Sequence, residues 1–154
     1  MGELIHTSKI KLYQDRPPER RAYVEQFGDP ITFGVHGGVK SFYGVAPERD
    51  LPTTLDHMIA AVGGWLIGTL AGALAVRQIP PVPEKIWSEG EGDIENVDGV
   101  IRIVRIRVKY YLKIPKGTRE AANRALDKHM SKCPAAMSVK DSIEINISAE
   151  IEEE

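Results

Sequence analysis

Eighteen consecutive residues, Ile59 to Val76, carry no charge and are bounded by His57 and Arg77. No other segment constrains the fold as tightly. A bilayer span needs ~20 apolar residues, so length alone makes this a marginal transmembrane candidate. Its composition argues for a buried core helix instead. Gly63, Gly64, Gly68, Gly72, Thr69 and several alanines dilute its hydrophobicity, and the rest of the chain reads as amphipathic elements with no need of a membrane. A helix apolar nearly all round must be covered on all sides. A 154-residue chain has few other elements to do this, so an obligate homodimer is expected.

The remaining bulk properties are those of an ordinary globular domain. Apolar residues make up 42% and charged residues 27%, and a chain of this length buries about two-thirds of its unfolded surface without staples. The net charge of −2 and the scattered basic residues give no footprint for nucleic acid. Arg102, Arg105, Arg107 and Lys109, the densest basic set, sit inside a strand-like run. Cys133 is the only cysteine, which excludes an intrachain disulfide framework and suits a reducing compartment. Met1 to Ile10 is polar, with no signal-peptide core. A cytoplasmic protein without membrane attachment is expected.

Three extended stretches open the chain: Ile5 to Leu12, Arg21 to Phe27 and Ile31 to Val35. His36-Gly37-Gly38 suggests a tight hairpin turn leading to a strand over Val39 to Val45, because Gly-Gly supplies positive φ. The expectation here is an antiparallel meander. Thr53 or Thr54 then caps the long helix, with Asp56 in its first turn, and Pro80, Pro81 and Pro83 stop it after about Gln78. Two strands, Glu84 to Glu95 and Val100 to Ile114, meet at an Asp98-Gly99 turn signal. From Arg105 onward Ile106, Val108 and Tyr110 face one way and the basic residues the other. Thr118 opens a helix with Ala121, Ala122, Ala125, Leu126 and Met130 inward; Cys133-Pro134 starts a short one. Ile143 to Ile151 alternates as a last strand, and Glu152-Glu153-Glu154 reads as a solvated tail. Grouped strands of this kind fit a single α+β domain over residues 1–154, with antiparallel sheets around the long buried central helix.

Cys133 is the strongest candidate for chemistry. Proline fits the first position of a helix, which makes Cys133 the N-cap, where free backbone N–H groups and the helix dipole favour a thiolate. A small buried hydrophobe at a helix start explains the residue equally well. Gly64, Gly68 and Gly72 share one helix face. Glycines cost roughly 1 kcal/mol each there against alanine, so they need a packing reason, either inside one subunit or between two copies. The histidines His6, His36, His57 and His129 make no metal pattern. His129 precedes Cys133 by four residues and reads as a helix C-terminal histidine against the dipole. The acidic run Glu89 to Glu95 lacks calcium-loop spacing and reads as a solvated hairpin. No phosphate loop, dinucleotide fingerprint or serine-nucleophile elbow is present, so no cofactor and no metal are expected.

Pro52 followed by Leu55 to Leu70, LDHMIAAVGGWLIGTL, resembles the central helix of the OsmC and organic hydroperoxide resistance proteins. Cys133-Pro134, Ser138-Val139 and the final Ile-rich strand resemble the second-cysteine motif of the same family. The element order agrees over nearly the whole chain. The resemblance implies an intertwined homodimer, and for active members a two-cysteine reduction of organic hydroperoxides. In that cycle a cysteine on the central helix attacks the peroxide, and the Cys-Pro cysteine resolves the sulfenic acid as a disulfide. This sequence departs at the decisive place. Trp65 stands where the peroxidatic cysteine belongs, and an offset of a residue or two brings Gly63 or Gly64 there. Cys133 matches only the resolving cysteine. The family's activating arginine falls on no particular residue, with Arg16, Arg20 and Arg21 near the right region.

Three functions follow as expectations. In the favoured one, the chain is a divergent, binding member whose vestigial site, around Gly64, Trp65 and Cys133, takes a small apolar ligand. In the second, Cys133 is catalytic in a one-cysteine peroxidase that reduces organic hydroperoxides and is recycled by an external thiol. In the third, the homodimer is purely structural.

Overall fold

The computed structural model describes residues 2–154. The chain divides into two compact units, one up to His57 and the other Met58–Glu154.

In the first unit, β1 (Ile10–Gln14), β2 (Arg20–Val24) and β3 (Ile31–Phe33) form an antiparallel sheet in the order β1-β2-β3. Ile10 pairs with Val24 and Arg20 with Phe33. The meander is as expected, but it starts at Ile10 rather than Ile5. The expected hairpin at His36-Gly37-Gly38 and the strand over Val39 to Val45 are replaced by a short helix, α1 (Gly37–Tyr43). Val39, Phe42 and Tyr43 are spaced for one helical face. Gly37 enters with φ of 52°, and Gly44, at φ 63°, closes it with its N–H directed to Lys40 and Ser41 carbonyls. The glycines therefore bracket a helix instead of turning a hairpin.

The long helix α2 (Thr54–Ala75) begins in the first unit and runs through the second. Thr53 caps it reciprocally: its hydroxyl accepts from the Asp56 N–H at 3.0 Å, and its own N–H donates to Asp56 Oδ2 at 2.7 Å. The helix ends at Ala75, earlier than expected, because Gln78 takes a left-handed conformation (φ 61°) and the Ile79 N–H returns to the Leu74 carbonyl. Ile79 and Leu74 are both buried at this stop.

The expectation that α2 is buried on all sides does not hold within the chain. Only Val62, Leu66, Leu70 and Leu74, one stripe at spacing four, are buried. Trp65 is 56% and Met58 45% exposed. By length and composition α2 is long and apolar enough to cross a bilayer.

In the second unit, β4 (Ile86–Val97), β5 (Val100–Ile114) and β6 (Glu144–Glu153) form a sheet in the order β4-β5-β6. Asp98 and Gly99 both have positive φ (53° and 87°), so the β4–β5 turn is the primed two-residue type that matches strand twist. The β5 alternation is realised: Ile106, Val108, Tyr110, Leu112 and Ile114 are all buried. The sheet is not wholly antiparallel, since β6 pairs parallel to β5. A parallel neighbour needs a crossover, supplied by α3 (Arg119–His129), a 3₁₀ turn (Met130–Lys132) and α4 (Pro134–Val139). The expected solvated tail is also overturned. Glu152 and Glu153 pair with Lys113 and Ile114, and the Glu154 N–H donates to the Ile114 carbonyl. Continuing the ladder satisfies backbone groups that a tail would leave to water.

Candidate functional site

Two groups of residues in the second unit carry the candidate chemistry. The first lies on the open face of α2. Ala61, Gly64, Trp65, Gly68 and Thr69 line a surface depression of about 540 Å³. A Cβ added at Gly63, Gly64, Gly68 or Gly72 would meet no atom within 4 Å. Packing inside the subunit therefore does not account for these glycines. Gly64 and Trp65 are brought together as helix neighbours, whereas Cys133 is not among the residues lining the depression.

The second group is centred on Cys133, which is fully buried. It occupies the α4 N-cap, with extended backbone (φ −86°, ψ 115°) and Pro134 following, and its Sγ accepts the Ala136 N–H at 3.5 Å. The local reading of Cys-Pro as a helix start is thus realised, and so is burial. A thiolate there would hold one backbone donor but would give up its hydration.

Sequence reasoning missed the partners. Tyr110 from β5 and His129 from the end of α3 are both buried. The Tyr110 hydroxyl and His129 Nε2 lie 2.9 Å apart, and His129 Nδ1 lies 2.7 Å from the Leu126 carbonyl. The carbonyl can only accept, so Nδ1 carries the proton and Nε2 accepts from the phenol. The neutral ring is thereby satisfied at both nitrogens. Burial pushes the His129 ring below its ordinary value, opposed by the carbonyls of Leu126 and Ala125. Burial, and then the neighbouring Cys133, raise the Tyr110 phenol. His129 does bond the C-terminal carbonyls of its helix, as expected, yet it is also core. Ala122 and Ala125 complete the fully buried α3 face, while Ala121, Leu126 and Met130 are only half-buried. The inward position of Tyr110, visible in the β5 alternation, was the available signal.

The acidic run on β4 is the solvated hairpin expected, with Glu89, Glu91 and Glu95 exposed, and its charges are paired across the ladder. Glu89, Glu91 and Asp93 stand opposite Lys109, Arg107 and Arg105. Asp93 accepts from Arg107 at 2.7 and 2.8 Å and from Arg105 at 2.7 Å; these two guanidiniums hold its carboxyl well below the usual carboxylate range. In the first unit His36 Nε2 lies 2.6 Å from Asp56 Oδ2. Arg16 pairs with Glu48, Arg21 with Asp15, and Arg20 donates to the Pro18 carbonyl. Among the described residues no three His, Cys, Asp or Glu side chains converge as a metal site requires.

A three-stranded meander, a long apolar helix and a mixed three-stranded sheet crossed by short helices define the fold of the OsmC and organic hydroperoxide resistance proteins. An OsmC-like protein from Mycoplasma pneumoniae superposes with a TM-score of 0.75 at 14% identity, covering 97% of this chain and 99% of that one. An organic hydroperoxide resistance protein from Elizabethkingia anophelis, solved with crystallant-derived thiocyanate bound, gives 0.73 at 12% identity, over 99% and 100%. An OsmC-like protein of unknown function from Vibrio cholerae gives 0.71 at 12%, over 96% and 99%. No curated protein sequence matches significantly. Residues 47–148 match the family model described as OsmC-like protein, and the chain belongs to that family.

Proposed function

We propose that this chain is a divergent, non-peroxidatic member of the OsmC family. In this reading it is a soluble cytoplasmic homodimer that binds a small apolar ligand on the Gly64–Trp65 face of α2. The observation that carries the reading is the state of the only thiol: Cys133 is fully buried, and the stretch of α2 that resembles the family's peroxidatic position, Gly63 to Trp65, holds no thiol. One cysteine cannot run a two-cysteine cycle within the chain. The depression beside Trp65 is shallow and open, lined by Ala61, Gly64, Trp65, Gly68 and Thr69, so in this reading the ligand site is completed between two copies of α2, where the second copy supplies the concavity that apolar ligands use. The open glycines supply the close approach that a second copy needs. The lone cysteine fits a reducing compartment. The OsmC-like domain takes in both units, residues 1–154.

The Ala136 N–H directed at Cys133 Sγ favours a second reading. In it Cys133 is catalytic: its thiolate attacks an organic hydroperoxide, releases the alcohol and becomes a sulfenic acid. An external dithiol then reduces the sulfenic acid, leaving as its disulfide with loss of water. The experiment is organic hydroperoxide consumption with a dithiol present, in the native chain and Cys133→Ser, alongside quenching of Trp65 fluorescence by apolar ligands. Background turnover in both proteins, with saturable quenching lost in Trp65→Phe, is expected. Turnover that disappears in Cys133→Ser would establish the peroxidase and remove the binding reading.

A further inference from the structure

Among the described residues His129 is the only buried histidine. Its faces are accounted for group by group. From β5 comes the Tyr110 hydroxyl, donating to Nε2; from its own helix come the Leu126 and Ala125 carbonyls, and from the start of α4 Cys133 lies beside the same phenol. Among the described residues no carboxylate pairs with the ring. Protonation would put an N–H on Nε2 against the Tyr110 O–H, turning an acceptor–donor pair into two opposed donors. The phenol would have to rotate, and a buried cation would be left without a counter-charge.

In the segment that follows, Met130–Val139, the fully buried side chains are Cys133 and Ala136. None of the residues of the 3₁₀ turn Met130–Lys132 is buried, and Ala136 is the only buried residue of α4. Local openings draw on regions with few buried apolar contacts. Cys133 is nevertheless sealed completely, and it sits directly between the turn and α4.

We propose that the Tyr110–His129 hydrogen bond is an acid-sensitive latch that keeps Met130–Val139 closed over Cys133, and that protonation of His129 opens it and uncovers the thiol. The device is independent of whether Cys133 is catalytic: it determines when the thiol can be reached by any small disulfide or oxidant. The sign follows from linkage. The closed form binds the neutral ring and the open form binds the proton, so opening is suppressed above about pH 6.5, the ordinary value of a solvated imidazole, and is promoted as the pH falls below it.

The test is the rate at which Cys133 of the full-length chain reacts with 4,4′-dithiodipyridine, divided by the rate for the same protein in denaturant, from pH 8 to pH 4.5. Circular dichroism monitors the fold throughout. The ratio cancels the intrinsic pH dependence of the thiol. It should be flat above pH 7 and rise by up to tenfold per pH unit below about 6.5. His129→Gln, which has no titrating group, should flatten the profile. Tyr110→Phe, which leaves Nε2 without its donor, should raise the ratio at pH 7. A flat profile in the wild-type chain overturns the latch without any variant, and so does a rise that survives in His129→Gln. If His129→Gln does not fold, a Tyr110→Phe ratio equal to wild type at pH 7 overturns it.

Discussion

Gly92 of β4 lies directly under Ile59 of α2: a Cβ built on Gly92 would collide with Ile59 Cδ1 and lie 2.7 Å from its Cγ1. The glycine is what lets the helix rest on the strand at this level. Ile59 has little freedom to turn aside, because a β-branched side chain in a helix is stiff at χ1. Gly92→Ala should therefore destabilise the fold by about 1–3 kcal/mol, the usual range for overpacking. Ile59→Ala in the same chain should recover part of the loss, giving a non-zero coupling in a double-mutant cycle of urea midpoints. Strict additivity would show that the two residues do not press on each other.

Gly68 gives a prediction in which the sign itself is informative. Nothing in the chain occupies the space that a Gly68 side chain would enter. If α2 faced only solvent there, Gly68→Leu should raise stability by about 0.8 kcal/mol through helix propensity. We expect the opposite, loss of the dimer and a lower melting temperature, because a leucine would hold two copies of α2 apart. Light scattering without detergent measures the mass, and a stable folded monomer of the wild-type chain would refute the dimer outright.

Asp93, clasped by Arg105 and Arg107, should make the sheet sensitive to acid. Its carboxyl is depressed in the folded state, so its contribution is present above the ordinary aspartate value of about 3.9 and is lost as the pH falls below it. Asp93→Asn should lower the urea midpoint at pH 7, and the gap to wild type should narrow on titration to pH 2.5. Added salt should narrow it too, because the cluster is only partly shielded from solvent. A gap unchanged by pH would mean that shape, not charge, matters at this position.

Thr53 and Asp56 cap the start of α2 reciprocally, and Asp56 also meets His36. Burial pushes the Asp56 carboxyl up, but the Thr53 N–H, the His36 ring and the Thr53 hydroxyl outweigh it and hold it below its ordinary value. Thr53→Ala should cost about 1 kcal/mol, and Thr53→Ser should restore most of it. Equal midpoints for the three chains would remove the cap from the account.

The sequence by itself determined the elements whose signals are local. Alternation from Arg105 to Ile114 marked β5 and its buried face, Asp98-Gly99 marked the turn before it, and Cys133-Pro134 marked the start of α4. The run Ile59 to Val76 marked the long helix and, with the Cys-Pro motif, the family. Periodicity and capping are properties of a few consecutive residues, so they survive in the sequence. Tertiary structure alone decided which surfaces meet. It set β6 parallel to β5, because direction depends on the crossover and not on the strand. It folded Gly37–Tyr43 as a helix although its residues suit either form. It drew the three terminal glutamates into the sheet and its contacts. It sealed Cys133 and joined Tyr110 to His129 across nineteen residues, a pairing that no spacing rule connects. It also left one face of α2 uncovered within one chain, since burial is settled by the partners a surface finds and not by how apolar that surface is.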